Sequence, residues 1–181
     1  MLTNADITAI SEKLTEILDI LEKHPERRAA LSDTPGKIAG SWREIFAGIG
    51  RDPLAELKNK YRAVGADPVV LRDIAFASMC EHHFLPFFGA ITIAYAPGEL
   101  IAGFGAIIRV TEVLSRRPQI QERLTAEIAD ALNSALCPAG IAVRIEARHL
   151  CMSMIGTKKN GSSIVTLATR GEASGLLPLL G

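Results

Sequence analysis

The sequence predicts an α+β fold, two helices followed by a β-β-α-α-β-β unit, on three observations. Apolar residues recur at helical spacing near the N-terminus and again between residues 118 and 136. They alternate with smaller or polar residues over 87–95. Two further strand-like runs close the chain after the second helical stretch.

Each element follows from its local pattern. Residues 4–23 read as a helix, with Asn4 or Asp6 as candidate caps and Ile7, Ile10, Leu14, Ile17, Leu18 and Leu21 as its stripe. A second helix follows Asp33-Thr34-Pro35, because proline suits a first helical turn. Its apolar face carries Ile38, Trp42, Ile45 and Phe46, and Gly48 and Gly50 end it. Residues 51–68 read as a charged surface connection or short helix. Strands are expected over 69–79 and 87–95, then helices over 106–115 and from Pro118 to the Cys137-Pro138-Ala139-Gly140 stop. Strands over 141–151 and 162–169 complete the order, and the tail after Gly171 shows no clear pattern. The expected organisation is a helical extension over residues 1–66 on a single catalytic unit over 67–181.

Composition narrows the function classes. The chain has 181 residues, 48% of them apolar, which is enough for one sizeable core. Its formal net charge is zero and only 5% of residues are aromatic, which argues against a nucleic-acid partner. No apolar run reaches membrane-spanning length and the first residues lack a signal-peptide pattern, so a cytoplasmic protein is expected. Three cysteines without a secretory signature point away from a disulfide framework.

Five of the seven histidines and cysteines fall in two clusters, Cys80-Glu81-His82-His83 and His149-Leu150-Cys151. Thiolate and imidazole are the ligands zinc prefers, and two thiolates with one imidazole leave a fourth tetrahedral position open, as catalytic sites do. Cys80 and His83 are three apart, where a bend can aim both at one ion. His149 and Cys151 are two apart, so on a continuous strand they share a face with Val143, Ile145 and Ala147. Cys80, His83 and Cys151 therefore make a plausible zinc cage. His82 and His149 remain as proton-transfer candidates beside water activated by the ion. The alternative is a buried core cysteine with surface histidines. Glu81 fits either a partner to the ligands or a solvated side chain. Gln121 and Glu122 open the long helix off its apolar stripe, and a carboxylate there could accept two hydrogen bonds from a planar heterocycle or simply be solvated.

Three segments together resemble the GTP cyclohydrolase I family: Met79-Cys-Glu-His-His-Phe-Leu-Pro-Phe, Ser115-Arg-Arg-Pro-Gln-Ile-Gln-Glu-Arg-Leu-Thr and Ala147-Arg-His-Leu-Cys-Met, with Asp33-Thr-Pro in support. The resemblance spans roughly residues 33–171. It implies the tunnelling fold, an antiparallel sheet with helices on one face, assembled as a homodecamer of two pentamers with active sites between subunits. It implies Zn²⁺ on Cys80, His83 and Cys151, catalytic roles for His82 and His149, and a purine anchor at Gln121 and Glu122. The implied reaction opens the imidazole ring of GTP at C8, giving dihydroneopterin triphosphate and formate.

One region departs from the family pattern. The family carries Gly-Leu-Ser-Lys before a helix arginine, whereas this chain reads Gly103-Phe104-Gly105-Ala106 and keeps only Arg109. Ile155 stands before Gly156 where the family has an arginine, and Lys37 stands where another arginine is usual. Those side chains serve the triphosphate. Each charge-assisted contact is worth roughly 1.5–3 kcal/mol, so two losses weaken triphosphate binding about a hundredfold or more. The expected substrate-binding set is thus Gln121, Glu122, Arg109 and Lys37. Two alternatives stand beside GTP turnover: ring opening of a purine without the triphosphate, such as 8-oxoguanine or a nucleoside, and a non-catalytic purine or pterin binder.

Overall fold

The computed structural model describes residues 2–65 and 67–181, so the expected boundary after residue 66 falls on a position outside them. Helices α1 (Asn4–Leu21), α2 (Pro25–Ala30) and α3 (Thr34–Ile45) come first, and α1 packs on α3. Thr3, not Asn4 or Asp6, caps α1. Its hydroxyl accepts from the Asp6 N–H at 3.2 Å while the Asp6 carboxylate accepts from the Thr3 N–H at 2.7 Å, a reciprocal capping box. With α3 as its main cover, α1 buries its stripe only in part, and Ile20 and Leu21 remain 69% and 73% exposed.

A 3₁₀ turn at Pro53–Leu57 and β1 (Lys60–Arg62) occupy the stretch read as a connection. Leu57 sits in the main core, and β1 pairs with β4 (Leu100–Ala102). The chain then runs β2 (Val69–Cys80), β3 (Pro86–Ala96), α4 (Phe104–Ser115), β5 (Pro118–Gln119), α5 (Gln121–Leu136), β6 (Gly140–His149), a helical turn α6 (Leu150–Ser153) and β7 (Ile164–Gly171). This is the expected β-β-α-α-β-β order. The strands lie β5-β2-β3-β6-β7, antiparallel except for the short β2–β5 pairing.

Two boundaries differ from the sequence expectation for physical reasons. Residues 118–119 do not begin a helix; they pair with Met79 and Cys80, and the Gln119 carbonyl accepts from the Glu81 N–H at 3.0 Å. The helix starts at Gln121. The strand expected over 141–151 ends at His149, where the chain turns into α6.

Leu71, Ile74, Phe76, Phe87, Ile91, Ile93, Val143 and Ile145 face Ile107, Val110, Leu124, Ile128 and Leu132 of the two helices in one continuous core. The patternless tail is structured: Ser174–Leu180 forms a 3₁₀ segment whose Leu176 and Leu180 cover the opposite sheet face at Ala94 and Ala142. Thus the far ends of β3 and β6 are covered on both faces.

Gly89 allows β3 and β6 to approach. A Cβ there would lie 1.9 Å from the Glu146 carbonyl oxygen and 2.7 Å from Cα of Ala147, both backbone atoms that cannot swing aside. Gly89→Ala is expected to cost about 3 kcal/mol, or roughly 6–12 °C in Tm for a chain of this size, measured by thermal unfolding. An unchanged Tm would contradict this packing.

Candidate active site

A bulge in β2 determines where Cys80 points. Leu71 pairs with Ile93 and Ile74 with Ile91, so Arg72 and Asp73 together oppose one residue, and Asp73 adopts φ 55°. Strict alternation from Leu71 would turn Cys80 away from the core. The extra residue shifts the parity, so Ile74, Phe76 and Cys80 all face inward.

The turn after Cys80 is closed by the Phe84 N–H donating to the Cys80 carbonyl at 2.9 Å and the Cys80 N–H donating to Leu85 at 2.9 Å. Phe84 holds φ 54°, a costly conformation for a bulky residue. Its ring packs against Trp42 and Phe46 of the α3 segment, with centroids 5.5 and 5.4 Å away. The N-terminal helices thereby brace the turn that presents His83.

The second cluster comes from the end of β6. His149 shares the inward face of Val143, Ile145 and Ala147, as its parity predicts, and is 9% exposed. Its ring stacks on Phe87, 4.6 Å between centroids and 7° from parallel. Cys151 does not lie on the strand with it. It sits on α6, and this turn, not strand alternation, carries the thiol back toward Cys80.

The ligand atoms of Cys80, His83 and Cys151 all lie within 4.8 Å of one another, and Cys80 Sγ is 3.9 Å from His83 Nδ1. Two sulfurs bound at about 2.3 Å to one ion stand at most ~4.6 Å apart, so the trio closes on zinc with only small movement. Burial, then the neighbouring Cys80 sulfur, pushes the Cys151 thiol above its ordinary pKa. A thiol so placed resists ionising, and a divalent cation relieves that cost. The donor set fits zinc and is one ligand short of closure.

A cleft of about 190 Å³ opens beside the trio, lined by His82, Gln119, Ile120, Gln121, Glu122, His149, Met152 and Ile164. A larger cavity of about 310 Å³ runs along β2, but no cysteine or histidine lines it. His82 is largely exposed at the cleft mouth, and Glu122 is exposed at the start of α5. Burial lowers the pKa of His149, with nearby Glu122 opposing that shift. Glu81 is engaged: the Arg123 guanidinium donates to its carboxylate and holds its pKa down. Arg123 also donates to Gln119 Oε1 at 2.9 Å.

Three residues of the expected substrate-binding set are engaged within the chain or lie off the cleft. Gln121 is 2% exposed and bonded into the sheet, because its amide reaches back over β6 and β7 instead of into solvent. Arg109 and Lys37 do not line the cleft within one chain. Arg109 instead donates to Glu56 at 2.9 Å. Sequence reading missed Arg123, Phe84 and Thr166, whose hydroxyl lies 3.0 Å from Gln121 Nε2. Thr166 left a signal, a polar residue at an inward position between Ile164 and Ala168; the tertiary partners of Phe84 and Arg123 left none.

Two thiols and an imidazole around an open coordination position, beside two further histidines and a carboxylate, define a zinc-dependent hydrolase. The sequence profile of the GTP cyclohydrolase I family matches residues 10–175. The GTP cyclohydrolase 1 of Streptococcus gordonii is 42% identical over 168 residues, covering 92% of this chain and 89% of its own. That of Streptococcus mutans is 44% identical over 168 residues, covering 92% and 87%. That of Streptococcus pyogenes is 45% identical over 157 residues, covering 86% and 80%. The chain belongs to the GTP cyclohydrolase I family, and its β-β-α-α-β-β unit is that family's tunnelling fold.

Replacing Cys151 with alanine removes one of three protein donors. Zinc retained after dialysis should fall well below one per chain. Turnover should fall by more than the ~10–100-fold that outer partners of a metal site cost, with far-UV circular dichroism unchanged. Full zinc retention would remove Cys151 from the ligand set.

Proposed function

We propose that the chain opens the imidazole ring of a guanine-type purine at C8, with GTP as substrate and dihydroneopterin triphosphate and formate as products. The observation that carries the reading is the convergence of Cys80, His83 and Cys151 next to His149 and Glu122. Zinc held by the trio supplies Lewis acidity and activates water at neutral pH.

The chain's own residues supply the rest. Glu122 offers two carboxylate oxygens to adjacent N–H groups on the pyrimidine edge of guanine, which sets the purine's orientation. His149, kept neutral by burial, accepts a proton from the attacking water and returns it to N7. The water oxygen becomes bonded to C8, the C8–N9 bond breaks as the C8 hydroxyl becomes a formyl carbonyl, and the hydroxyl proton passes to N9. Hydrolysis of the resulting formamide at N7 releases formate, and rearrangement of the ribose followed by its condensation with the freed amine, with loss of one water, recloses the ring as dihydroneopterin triphosphate. His82, exposed at the mouth, is placed to exchange protons with solvent during that second step.

The reading includes assembly into rings, as the family resemblance implies. Three observations support it. The cleft is smaller than the roughly 300–1,000 Å³ of ordinary ligand pockets. Arg109 and Lys37 do not line the cleft of their own chain. The C-terminal end of α1 exposes Ile17, Ile20 and Leu21. No described helix is long and apolar enough to cross a membrane.

One observation favours a second substrate class. Among the described residues lining the cleft there is no lysine or arginine, and its one formal charge is the negative Glu122. Gly105 and Ala106 stand at the start of α4, and Ile155 is 42% exposed just beyond α6. A purine lacking the triphosphate, a base or a nucleoside, fits that lining. Turnover of GTP, guanosine, guanine and 8-oxoguanine by zinc-loaded protein separates the readings, followed by loss of purine absorption and, where C8 carries hydrogen, formate release. GTP opening is expected. Inert GTP with an opened smaller purine would replace the first reading by the second, and no opening of any of them would overturn both.

A further inference from the structure

The cleft wall has no positive side chain among the described residues, yet the loop that borders it is cationic. The chain leaves the cleft at Met152 and returns to it at Ile164. Between them it reads Ser153-Met-Ile-Gly-Thr-Lys-Lys-Asn-Gly-Ser-Ser163, with two adjacent lysines, glycines, hydroxyls and no acidic residue.

The loop is anchored at both ends. The Lys159 N–H donates to the Met152 carbonyl at 3.0 Å, which seats Lys159 beside a residue of the cleft wall. The Ser162 N–H donates to the Lys159 carbonyl at 3.3 Å, and Ser163 Oγ donates to Glu146 at 2.9 Å, tying the far end to β6. That carboxylate is already paired with Arg144 at 2.7 Å. Lys158 and Lys159 are exposed and have no ion-pair partner among the described residues. Gly156 and Lys158 hold φ 61° and 51°, a conformation that a lysine rarely adopts. The N–H groups of Gly156, Thr157, Asn160 and Gly161 donate to no acceptor among the described residues. Unused N–H groups in turns form concavities that favour anions. Two neighbouring ammonium groups repel one another, and a loop that only joined α6 to β7 would gain nothing from them; a bound anion relieves that repulsion.

We propose that residues 156–163 form the phosphate-recognition loop of the cleft, with Lys158 and Lys159 taking the phosphate tail of a purine nucleotide whose base is held at Glu122. The inference rests on the purine reading of the cleft and names the form of purine it takes, a nucleotide in preference to a base or nucleoside. Each lysine carries its charge on a flexible four-carbon stem, so it meets a phosphate that lies outside the cleft wall itself.

The test uses 7-deaza-GTP and 7-deazaguanosine, in which carbon replaces N7. Both keep the pyrimidine edge of guanine, and neither has an imidazole ring to open, so binding to the zinc-loaded protein is read by calorimetry without turnover. The wild type should bind the triphosphate more tightly than the nucleoside, and added salt should narrow the gap. Lys158→Ala and Lys159→Ala should each weaken 7-deaza-GTP about tenfold, and the double variant roughly a hundredfold, the size of one and two charge-assisted contacts. Binding of 7-deazaguanosine and zinc content should stay at wild-type values. The double arginine variant, Lys158→Arg with Lys159→Arg, should keep most of the preference. Equal wild-type affinity for the two analogues, binding of neither, an unchanged preference in the double alanine variant, or parallel weakening of both analogues would each overturn the proposal. If the preference and its loss are seen but no purine is opened, the ring-opening reading fails and the loop assignment stands.

Discussion

Two thiols and an imidazole nitrogen, held within 4.8 Å of one another, form the constraint on which the rest of the site depends. Burial raises the cost of ionising Cys151, and Cys80 adds to it. A cation at the centre offsets that cost, and the free energy of metal binding then also stabilises the turns that carry the ligands. The ligands come from either side of the sheet's central strand β3: Cys80 ends β2, His83 lies in the turn after it, and Cys151 lies on α6 beyond β6. A bound ion therefore ties together the ends of strands that are separated in the sheet by β3.

Several features far from the metal keep that geometry. The bulge at Arg72 and Asp73 rotates Cys80 onto the core face. Without it, the thiol would point away from Cys151. Trp42 and Phe46 brace the left-handed Phe84, which links the N-terminal helices to the turn bearing His83. Gly89 allows β3 close enough to β6 for Phe87 to pair with His149 and stack on it. His149 is thus positioned on one side by packing on Phe87 and on the other by its hydrogen bond to Gln121.

Much of this was legible in the chain. The clustering of Cys80, His82, His83, His149 and Cys151 pointed to the metal, and the period-two run from Val143 to His149 set the facing of the histidine. The helical and strand order was readable for the same reason, because each long element carries a clear apolar period. What stayed hidden depends on contacts between distant segments. Nothing local distinguishes a strand continuing through Cys151 from one that stops at His149 and turns. The β2 bulge breaks alternation at two polar residues that look like ordinary exposed positions. Gln121, in the first turn of a helix and off its stripe, gives no local sign of burial, and only the approach of β6 and β7 buries it. Arg109 and Lys37 matched the family by position, yet a single chain does not bring them to the cleft.

The central claim is that one zinc ion is bound by two sulfurs and one imidazole nitrogen, with a further position left for water or substrate. X-ray absorption at the zinc edge measures that first shell directly. The account predicts two sulfur neighbours at about 2.3 Å and light N or O neighbours at about 2.0–2.1 Å, at least one of which is exchangeable. A shell with no sulfur, with a single sulfur, or with four protein ligands and no exchangeable position would contradict it.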